Sequence, residues 1–489
     1  MKYIISIDEG TTSTRSCLYN IDTKKIEKIS QRPIAQYYPV PGYVEEDAEE
    51  IYQKTLDALK DNIVFAGKDN VLGIGLTNQR ETVVAWDKTT GKPLYNAIVW
   101  QCRRTSRFCD ELKKTKEKEI HKKTGLVIDA YFSASKIKWL IDNVPEVRKE
   151  LDNKNLCVGT IDTYLIYRLT GGKSFVTDYT NASRTMLFNI NTLTWDKGLL
   201  NLFEIPIAIL PKVIRSTDVA GAFEYDGKNI AIAGIAGDQQ AALFGQGCFD
   251  EGSSKITYGT GMFMLYNIGS TPALSKNGLI TTIGYCVGDK ICYAFEGSVF
   301  NAGSSVQWLR DELAFFNDSS ESEKWAQSVP NSGGVYVVPA FTGLGAPYWD
   351  SNAKGIITGI TRGTTKAHII RATLEAIAYS AKDLAVVMER DSQIPLKETR
   401  CDGGASANNF LMQFQADTLG VWINRPVEKE STSLGAIYLC GIAIGLFKME
   451  DIEQLRSVDR LFKPTDDREI CHKRYDGWKK AIKQCRNVE

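Results

Sequence analysis

The chain opens with YIISIDEGTTSTRSCLY (residues 3–19), in which two apolar runs flank a polar turn rich in glycine and threonine. This pattern predicts a strand, a tight turn and a second strand. About half a chain later, residues 255–266 repeat the pattern as KITYGTGMFMLY. Two such units so far apart predict a duplicated architecture, with one turn in each half.

Strand and helix patterns alternate in both halves. In the first half, residues 71–76 and 82–86 are predicted strands, and at the start of the second set of units residues 230–236 form a buried-type strand that leads into a helix from Gln239. In the second half, apolar residues between positions 370 and 388 recur at steps of three and four, which predicts a long amphipathic helix. This alternation predicts an α/β fold.

The bulk composition indicates a globular protein without an obvious macromolecular partner. Of the 489 residues, 43% are hydrophobic and 24% are charged, and 59 basic residues balance 59 acidic ones. This balance does not favour nucleic acid or an anionic membrane as a partner. No apolar run reaches the roughly 20 residues of a membrane span. We see no signal peptide either and expect a cytoplasmic protein.

Glycines at 245–252 interrupt the alternation of predicted strands and helices and suggest two domains, 1–248 and 249–489.

The two turns are candidate phosphate sites. Residues 10–14 and 259–261 offer clustered backbone N–H groups and hydroxyls, which can bind phosphate oxygens without net charge. Facing each other across a cleft, they would clamp a triphosphate. Asp8, at the end of its strand, is placed to hold Mg²⁺ through water. Structural hairpins are the alternative interpretation, because such turns are common.

Two charged features leave alternatives open. Asp238 follows the predicted strand at 230–236 and opens a helix, so it is either a helix N-cap or a functional carboxylate. Arg80 and Glu81 are adjacent in a polar turn, where a solvated ion pair is the common explanation. The eleven cysteines and three histidines show no zinc-ligand spacing.

Longer motifs resemble the signatures of the FGGY family of carbohydrate kinases. The first signature runs from Tyr131 to Asn143 and the second from Gly355 to Glu375. Strings typical of the members that phosphorylate glycerol are NQRET (78–82), IVWQCRRT (98–105), NASRTMLFN (181–189) and AGDQQAALFG (236–245). On these residues, the chain is identified as a member of that family.

The resemblance implies a fold and an activity. The fold is the two-lobed actin-like, ribonuclease-H-like ATPase fold, with a duplicated core and a central cleft. The implied reaction is ATP-dependent phosphorylation of glycerol to sn-glycerol 3-phosphate, with ATP and Mg²⁺ as cofactors, in a homodimer or homotetramer. The rivals are another sugar or polyol kinase of the family, an actin-like ATPase without a small-molecule acceptor, and an inactive relative.

The resemblance also assigns roles to residues. Asp238 is the implied catalytic base, Arg15 offsets charge on the transferred phosphoryl group, and Asp8 serves the metal. The implied glycerol residues are Arg80, Glu81, Trp100, Tyr131, Asp238, Gln239 and Phe263. The implied ATP residues are Thr11, Thr12, Ser13, Arg15, Thr260, Gly303, Gln307, Gly404 and Asn408.

Glu9 departs from the family pattern, which usually has Gln at this position. Successive strand residues point to opposite sides, so Glu9 either faces away from the metal or adds a second anion to it. The segment 224–229 carries neither a sugar-bisphosphate loop nor a phosphorylatable histidine, the two regulatory devices of some relatives.

Overall fold

Strands and helices alternate along the chain, as the sequence pattern predicts. The structure, a computed structural model, describes residues 1–486. Its strands are β1 (Tyr3–Glu9), β2 (Ser13–Asn20), β3 (Lys25–Pro33), β4 (Gln36–Tyr37), β5 (Glu45–Glu46), β6 (Val71–Asn78), β7 (Val83–Asp87), β8 (Ala97–Ile98), β9 (Leu156–Thr160), β10 (Val176–Asp178), β11 (Phe188–Asn189), β12 (Thr194–Trp195), β13 (Lys212–Ile214), β14 (Val219–Tyr225), β15 (Lys228–Gly237), β16 (Ser253–Tyr258), β17 (Met262–Gly269), β18 (Ile280–Val287), β19 (Lys290–Val299), β20 (Tyr336–Val338), β21 (Ile356–Thr358), β22 (Glu398–Gly403), β23 (Trp422–Pro426) and β24 (Val458–Phe462). Its α-helices are α1 (Ala48–Ala66), α2 (Ser106–Thr124), α3 (Ser133–Asn143), α4 (Pro145–Asp152), α5 (Ile161–Leu169), α6 (Tyr179–Ala182), α7 (Lys197–Leu202), α8 (Asp238–Gly245), α9 (Gly303–Asp311), α10 (Glu321–Gln327), α11 (Lys366–Ser392), α12 (Asn409–Leu419), α13 (Ser431–Ala443), α14 (Ile452–Leu455) and α15 (Arg468–Arg486).

Two sheets repeat one strand arrangement. The first has the order β14-β15-β6-β1-β2-β3, and the second has the order β18-β19-β17-β16-β22-β23-β24. In the first, β1 pairs antiparallel with β2 and parallel with β6, which is itself parallel to β15. In the second, β16 pairs antiparallel with β17 and parallel with β22, which is parallel to β23. The predicted α/β fold with a duplicated core is confirmed.

Helix α13 joins the two halves of the chain. It follows β23 of the second sheet in sequence, yet it packs against β1, β6 and β15 of the first sheet and against α8. The contact is so close that a Cβ at Gly435 would lie 1.9 Å from the carbonyl oxygen of Ala241. A Cβ at Gly75 would lie 2.3 Å from the carbonyl oxygen of Ala436. Glycine is therefore required at both positions, because any side chain would push the helix away.

The C-terminal helix α15 is more than the solvated helix that its basic residues suggest. Its lysines are largely exposed, but Trp478 and Ile482 on the opposite face are buried in the second core. Asp383 of α11 accepts hydrogen bonds from Tyr475 Oη at 2.6 Å and from Trp478 Nε1 at 2.8 Å. The periodicity of apolar residues explains this packing, since they recur on one face of the helix.

Three further features bear on the site and its surroundings. Within residues 1–486, no helix combines the length and apolarity that a membrane crossing requires. All cysteines of this region are buried free thiols. In the same region, no three His, Cys, Asp or Glu side chains group together as a metal-ion cage.

Candidate active site

The carboxyl ends of three neighbouring strands bring the first group of candidate residues together. In the register of the first sheet, Glu9 at the end of β1 lies beside Asn78 of β6, and Asn78 lies beside Gly237 of β15. Arg80 lies two residues after the end of β6, and Asp238 follows directly after the end of β15. Their side chains meet, with Arg80 Nε 3.0 Å from Asp238 Oδ1.

Asp238 is the first residue of α8, and Gly237 occupies the N-cap position without a side-chain hydrogen bond. The N-cap alternative for Asp238 is therefore wrong. Its Oδ1 accepts a hydrogen bond from the Gln239 backbone N–H at 2.7 Å and forms an ion pair with Arg80 Nε. The side chain is 34% exposed, in contrast to the buried Arg80. The carboxylate is thus fixed on one side and accessible on the other.

A buried cluster of charges surrounds Arg80. Both terminal nitrogens of Arg80 donate to the carboxylate of Glu296, and Arg184 Nη2 donates to the same carboxylate at 2.9 Å. Arg184 Nε also donates to Glu81 Oε1 at 2.6 Å. Burial alone would raise the pKa of Glu296, but Arg184 and Arg80 outweigh it and lower the pKa to about 2. Arg80 and Glu81 are therefore not the solvated pair of the alternative interpretation.

Two aromatic rings connect this cluster with the first turn. Trp100 packs edge-on against Tyr131, with ring centroids 5.6 Å apart. Tyr131 in turn lies over the guanidinium of Arg184, at 5.7 Å. The indole Nε1 of Trp100 donates to Thr11 Oγ1 at 2.9 Å. The structure therefore places predicted glycerol residues next to a predicted phosphate residue.

The second sheet contributes Lys255 and Phe263. Nζ of the buried Lys255 donates to Gln239 Oε1 and, at 2.9 Å, to Thr257 Oγ1. Phe263 lies opposite Thr257 in the register, and Glu296 aligns with Lys255 across β17. Residues directly opposite in antiparallel strands share a face. Phe263 therefore lies on the sheet face that carries Lys255 and Glu296.

The second turn lies at the carboxyl end of the second sheet. The backbone N–H of Gly303, at the start of α9, donates to the Gly259 carbonyl oxygen at 3.1 Å. A Cβ at Gly303 would lie 2.5 Å from that oxygen, so the approach requires glycine. Gly404 follows β22, whose last residue pairs with Tyr258. Three predicted ATP residues, Thr260, Gly303 and Gly404, thus meet at one edge.

The other two predicted ATP residues of the second half, Gln307 and Asn408, lie on helices beyond the edge where Thr260, Gly303 and Gly404 meet. Gln307 is exposed one turn along α9 from Gly303. Asn408 is the N-cap of α12, because its Oδ1 accepts from the Leu411 backbone N–H at 2.9 Å. Its Nδ2 donates to Ser322 Oγ at 3.3 Å. Asn408 therefore has a structural role as the N-cap of α12, and its contact with ATP stays a prediction.

The first turn, residues 11–13, is held by its own backbone. The Gly10 N–H donates to the Ser13 carbonyl oxygen at 3.0 Å, closing a tight turn between β1 and β2. Arg15 on β2 forms a partly exposed ion pair with Glu430, at 2.8 Å. The Arg15 guanidinium is thus near the turn but engaged with a carboxylate from the second half of the chain.

Asp8 is the candidate metal residue. It is paired with Arg15 in the register of β1 and β2, and it accepts a long hydrogen bond of 3.4 Å from Ser433 Oγ of α13. Burial raises the pKa of Asp8 to about 6, against the opposing charge of Arg15.

Glu9 faces away from Asp8, as strand alternation predicts. Its Oε1 accepts from Gln79 Nε2 at 3.2 Å, and the same amide donates to Glu46 Oε2 at 2.7 Å. Burial, together with the negative charge of Glu46, raises the pKa of Glu9 well above its usual value. The substitution at this position therefore adds no second anion beside Asp8.

The sequence did not identify four buried ionisable residues at the site. Arg184 and Lys136 stand inside the quoted motifs, Lys255 stands in the buried strand β16, and Glu296 stands in β19, which is mostly apolar. An ionisable residue inside a buried strand is a usable signal, because it is almost never buried without a partner. The partner itself could not be read from the sequence.

The structure combines a duplicated core with a charged site that draws on side chains from both sheets. The comparisons with known proteins assign this two-domain fold to the class of carbohydrate kinases. Residues 3–245 match the FGGY family of carbohydrate kinases, N-terminal domain, and residues 254–444 match the C-terminal domain of the same family. The chain belongs to the FGGY family of carbohydrate kinases, which confirms the resemblance seen in its motifs.

Individual members of the family differ in how similar they are to this chain. The glycerol kinase of Bacillus cereus strain Q1 is 53% identical over 98% of both chains. The crystal structure of Plasmodium falciparum glycerol kinase with ADP superposes with a TM-score of 0.95 at 39% identity, covering 100% of this chain and 99% of that one. Gluconate kinase from Lactobacillus acidophilus gives a TM-score of 0.88 at 25% identity, with coverage of 100% and 99%.

Proposed function

We propose that the protein transfers the γ-phosphoryl group of ATP to a primary hydroxyl of glycerol, giving ADP and sn-glycerol 3-phosphate. The observation that carries the proposal is the contact of Arg80 Nε with Asp238 Oδ1 at 3.0 Å, beside the cluster that holds Glu81. The glycerol kinase relatives at 53% identity support the choice of substrate.

Glycerol requires both donors and acceptors around a small carbon chain. Arg80 supplies the donor, and Glu81, Asp238 and Gln239 supply acceptors. The aromatic side chains would cover the C–H surface. These are Trp100, Tyr131 and Phe263.

Asp238 accepts the proton of the attacking hydroxyl at its carboxylate. An ordinary carboxylate is sufficient, because the phosphoryl-transfer transition state is loose and makes small demands on its base. Arg80 holds the carboxylate in place from its buried side. Arg15 exchanges Glu430 for the phosphoryl oxygens and offsets their charge.

ATP lies between the two turns in this proposal. The phosphates of ATP contact residues of the first turn and Arg15. Residues at the carboxyl end of the second sheet, around the 259–261 turn, supply the other contacts with the nucleotide. The proposed ATP residues are Thr11, Thr12, Ser13, Arg15, Thr260, Gly303, Gln307, Gly404 and Asn408. The ADP in the Plasmodium falciparum glycerol kinase structure supports a nucleotide site in this fold.

Asp8 fits a magnesium ion held together with phosphates. Its carboxylate is engaged by one long hydrogen bond from Ser433, and so it retains acceptor capacity. Mg²⁺ in such sites keeps several waters and takes one or two carboxylates, so a protein cage is not required. When bound, Mg²⁺ neutralises charge on the phosphates.

We also propose domains 1–248 and 249–489, a cytoplasmic location and a homodimer or homotetramer, with neither nucleic acid nor membrane as a partner. The break between the two family matches, 3–245 and 254–444, supports the domain division. Light scattering coupled to size-exclusion chromatography measures the molar mass of the protein in solution. A monomer at all concentrations would contradict the proposed homodimer or homotetramer.

A coupled assay for glycerol 3-phosphate with purified protein, ATP and Mg²⁺ tests the activity. A panel of gluconate, xylulose and erythritol addresses the nearest rival, another kinase of the family. We expect the highest kcat/KM with glycerol. ATP turnover that is indifferent to glycerol would indicate an actin-like ATPase instead, and higher kcat/KM with another acceptor would reassign the substrate.

A further inference from the structure

We propose that Glu296 is a positioning residue of the glycerol site, which holds Arg80 and Arg184 in place from the second sheet. The inference rests on the proposed phosphorylation of glycerol. Glu296 lies on β19, whereas Arg80 follows β6 of the first sheet. The two side chains meet although 216 positions separate them in the sequence.

The carboxylate of Glu296 is shared between two guanidinium groups. Its Oε1 accepts from Arg80 Nη2 at 3.2 Å and from Arg184 Nη2 at 2.9 Å, and its Oε2 accepts from Arg80 Nη1. All three side chains are almost fully buried, with exposures of 3%, 0% and 2% for Arg80, Arg184 and Glu296. Planar two-point pairing of this kind fixes the orientation of a guanidinium as well as its location.

The contacts form an alternating chain of charges. It runs from Glu81 through Arg184 to Glu296, and from Glu296 through Arg80 to Asp238. Its two ends are the carboxylates that the proposed function assigns to glycerol. Glu296 is the middle member, so its position determines where both guanidiniums and hence both end carboxylates lie.

Charge supports the same conclusion. Without Glu296, two buried guanidiniums would face each other with no anion between them. Breaking a buried pair by removing one partner leaves an uncompensated charge in a medium of low dielectric constant. Arg80 would then lose the two-point contact that orients its guanidinium, and only Asp238 and the more distant Glu81 would hold it, in a changed orientation. Asp238 would then no longer be positioned to accept the proton of the attacking hydroxyl, although Glu296 itself is assigned no contact with glycerol.

The substitution Glu296→Gln tests the inference because it keeps the size of the side chain and removes the charge. We expect the KM for glycerol to rise roughly 10–100-fold, from the loss of a buried charge pair. The KM for ATP should stay within about twofold, since its proposed contacts lie elsewhere, and kcat should fall with the misplaced hydroxyl. Should this variant be insoluble, Glu296→Asp is measured instead: it keeps the charge but is one methylene shorter, so it breaks the two-point contact with Arg80. A raised KM for glycerol with an unchanged KM for ATP would support the positioning role, while an unchanged KM for glycerol would overturn it.

Asp383→Ala is the matched control. It also removes a buried carboxylate from the second half, but one that binds Tyr475 and Trp478 of α15. We expect it to lower the Tm and to leave the KM for glycerol unchanged. A Glu296→Gln enzyme with glycerol KM within twofold of wild type, or with equal changes for both substrates, would overturn the positioning role. A wild type inactive on glycerol would instead refute the proposed function, and the inference with it.

Discussion

Nζ of Lys136 lies 3.4 Å from the backbone carbonyl oxygen of Glu81, in the interior of the first half. It also donates to the carbonyl oxygens of Tyr131 and, at 3.2 Å, Phe132. Glu81 has a φ of 62°, a conformation that non-glycine residues adopt only when their surroundings enforce it. One buried ammonium group therefore fixes the backbone of two proposed glycerol residues, Glu81 and Tyr131.

Replacing Lys136 with Met should weaken both stability and glycerol binding. The Glu81 carbonyl oxygen would keep its hydrogen bond from Ser133 Oγ at 3.1 Å. The Tyr131 carbonyl oxygen would lose the donation from Lys136, and an unsatisfied buried acceptor costs about 1–3 kcal/mol. We expect a lower Tm and a KM for glycerol raised about tenfold, which corresponds to about 1.4 kcal/mol. Thermal unfolding and initial rates on one preparation measure both.

Lys138→Met is the control, because Lys138 lies on the same helix and forms ion pairs with Glu204 at 2.5 Å and Asp142 at 3.0 Å. Surface pairs of this kind contribute little to stability. Its Tm and kinetic constants should stay close to wild type. Equal effects of the two substitutions would show that helix α3 as a whole, and not the carbonyl contacts, is responsible.

Phe263→Ala should reduce specificity for glycerol. The ring lies on the face shared with Lys255 and Glu296, and its loss would uncover the carbon chain. We expect a decrease of about 1–3 kcal/mol in the transition-state stabilisation measured by kcat/KM for glycerol. The KM for ATP serves as the internal control. An equal loss for ATP would mean that Phe263 supports the neighbouring 259–261 turn.

The stability of the second half should depend on pH through Asp383. Burial raises the pKa of Asp383 to about 6 from its usual 3.8. The folded protein therefore binds more protons than the unfolded chain between these values, and stability falls as the pH rises from about 4 to 6. A shift of this size corresponds to about 3 kcal/mol. Asp383→Asn removes the titrating group.

Denaturant unfolding of wild type and Asp383→Asn between pH 4 and pH 7 measures this difference. The free energy of unfolding of the wild type should decline relative to the variant as the pH rises. Parallel curves would contradict the prediction, because the pH dependence would then come from other groups.

Local patterns predicted the frame of the fold but not its contacts. The apolar runs at 3–7 and 255–258 form strands because alternation and turn chemistry act over a few residues. The same argument cannot place α13 on the first sheet, since its sequence neighbours belong to the second. It cannot pair Arg80 with Glu296 either, because only the tertiary fold brings them together.

The residues of the candidate site also fall into those that the sequence predicts and those that only the structure reveals. Family motifs supplied Arg80, Glu81 and Asp238. In the structure Arg80 contacts Asp238 directly, and Glu81 is linked to Arg80 through Arg184 and Glu296. Composition and spacing gave no reason to include Glu296. Its role depends on desolvation, which becomes visible only when burial and partners are known.

Asp238→Asn is the sharpest test of the proposed mechanism. The two side chains are nearly the same size, and the Oδ1 contacts with Arg80 Nε and the Gln239 N–H can be kept by the amide oxygen. The amide cannot take up the proton of the attacking hydroxyl. Turnover should therefore fall roughly 10²–10⁴-fold, the usual contribution of a positioned general base.

Binding should respond differently from turnover in this variant. Glycerol affinity should fall less than kcat, because the amide still forms a hydrogen bond with the hydroxyl, and ATP affinity should be retained. The Tm should stay close to wild type, since Gly237 and not Asp238 occupies the N-cap of α8. Turnover, glycerol binding and Tm measured on one preparation distinguish these effects. A folded Asp238→Asn enzyme with turnover within threefold of wild type would exclude Asp238 as the base and make Glu81 the next carboxylate to test.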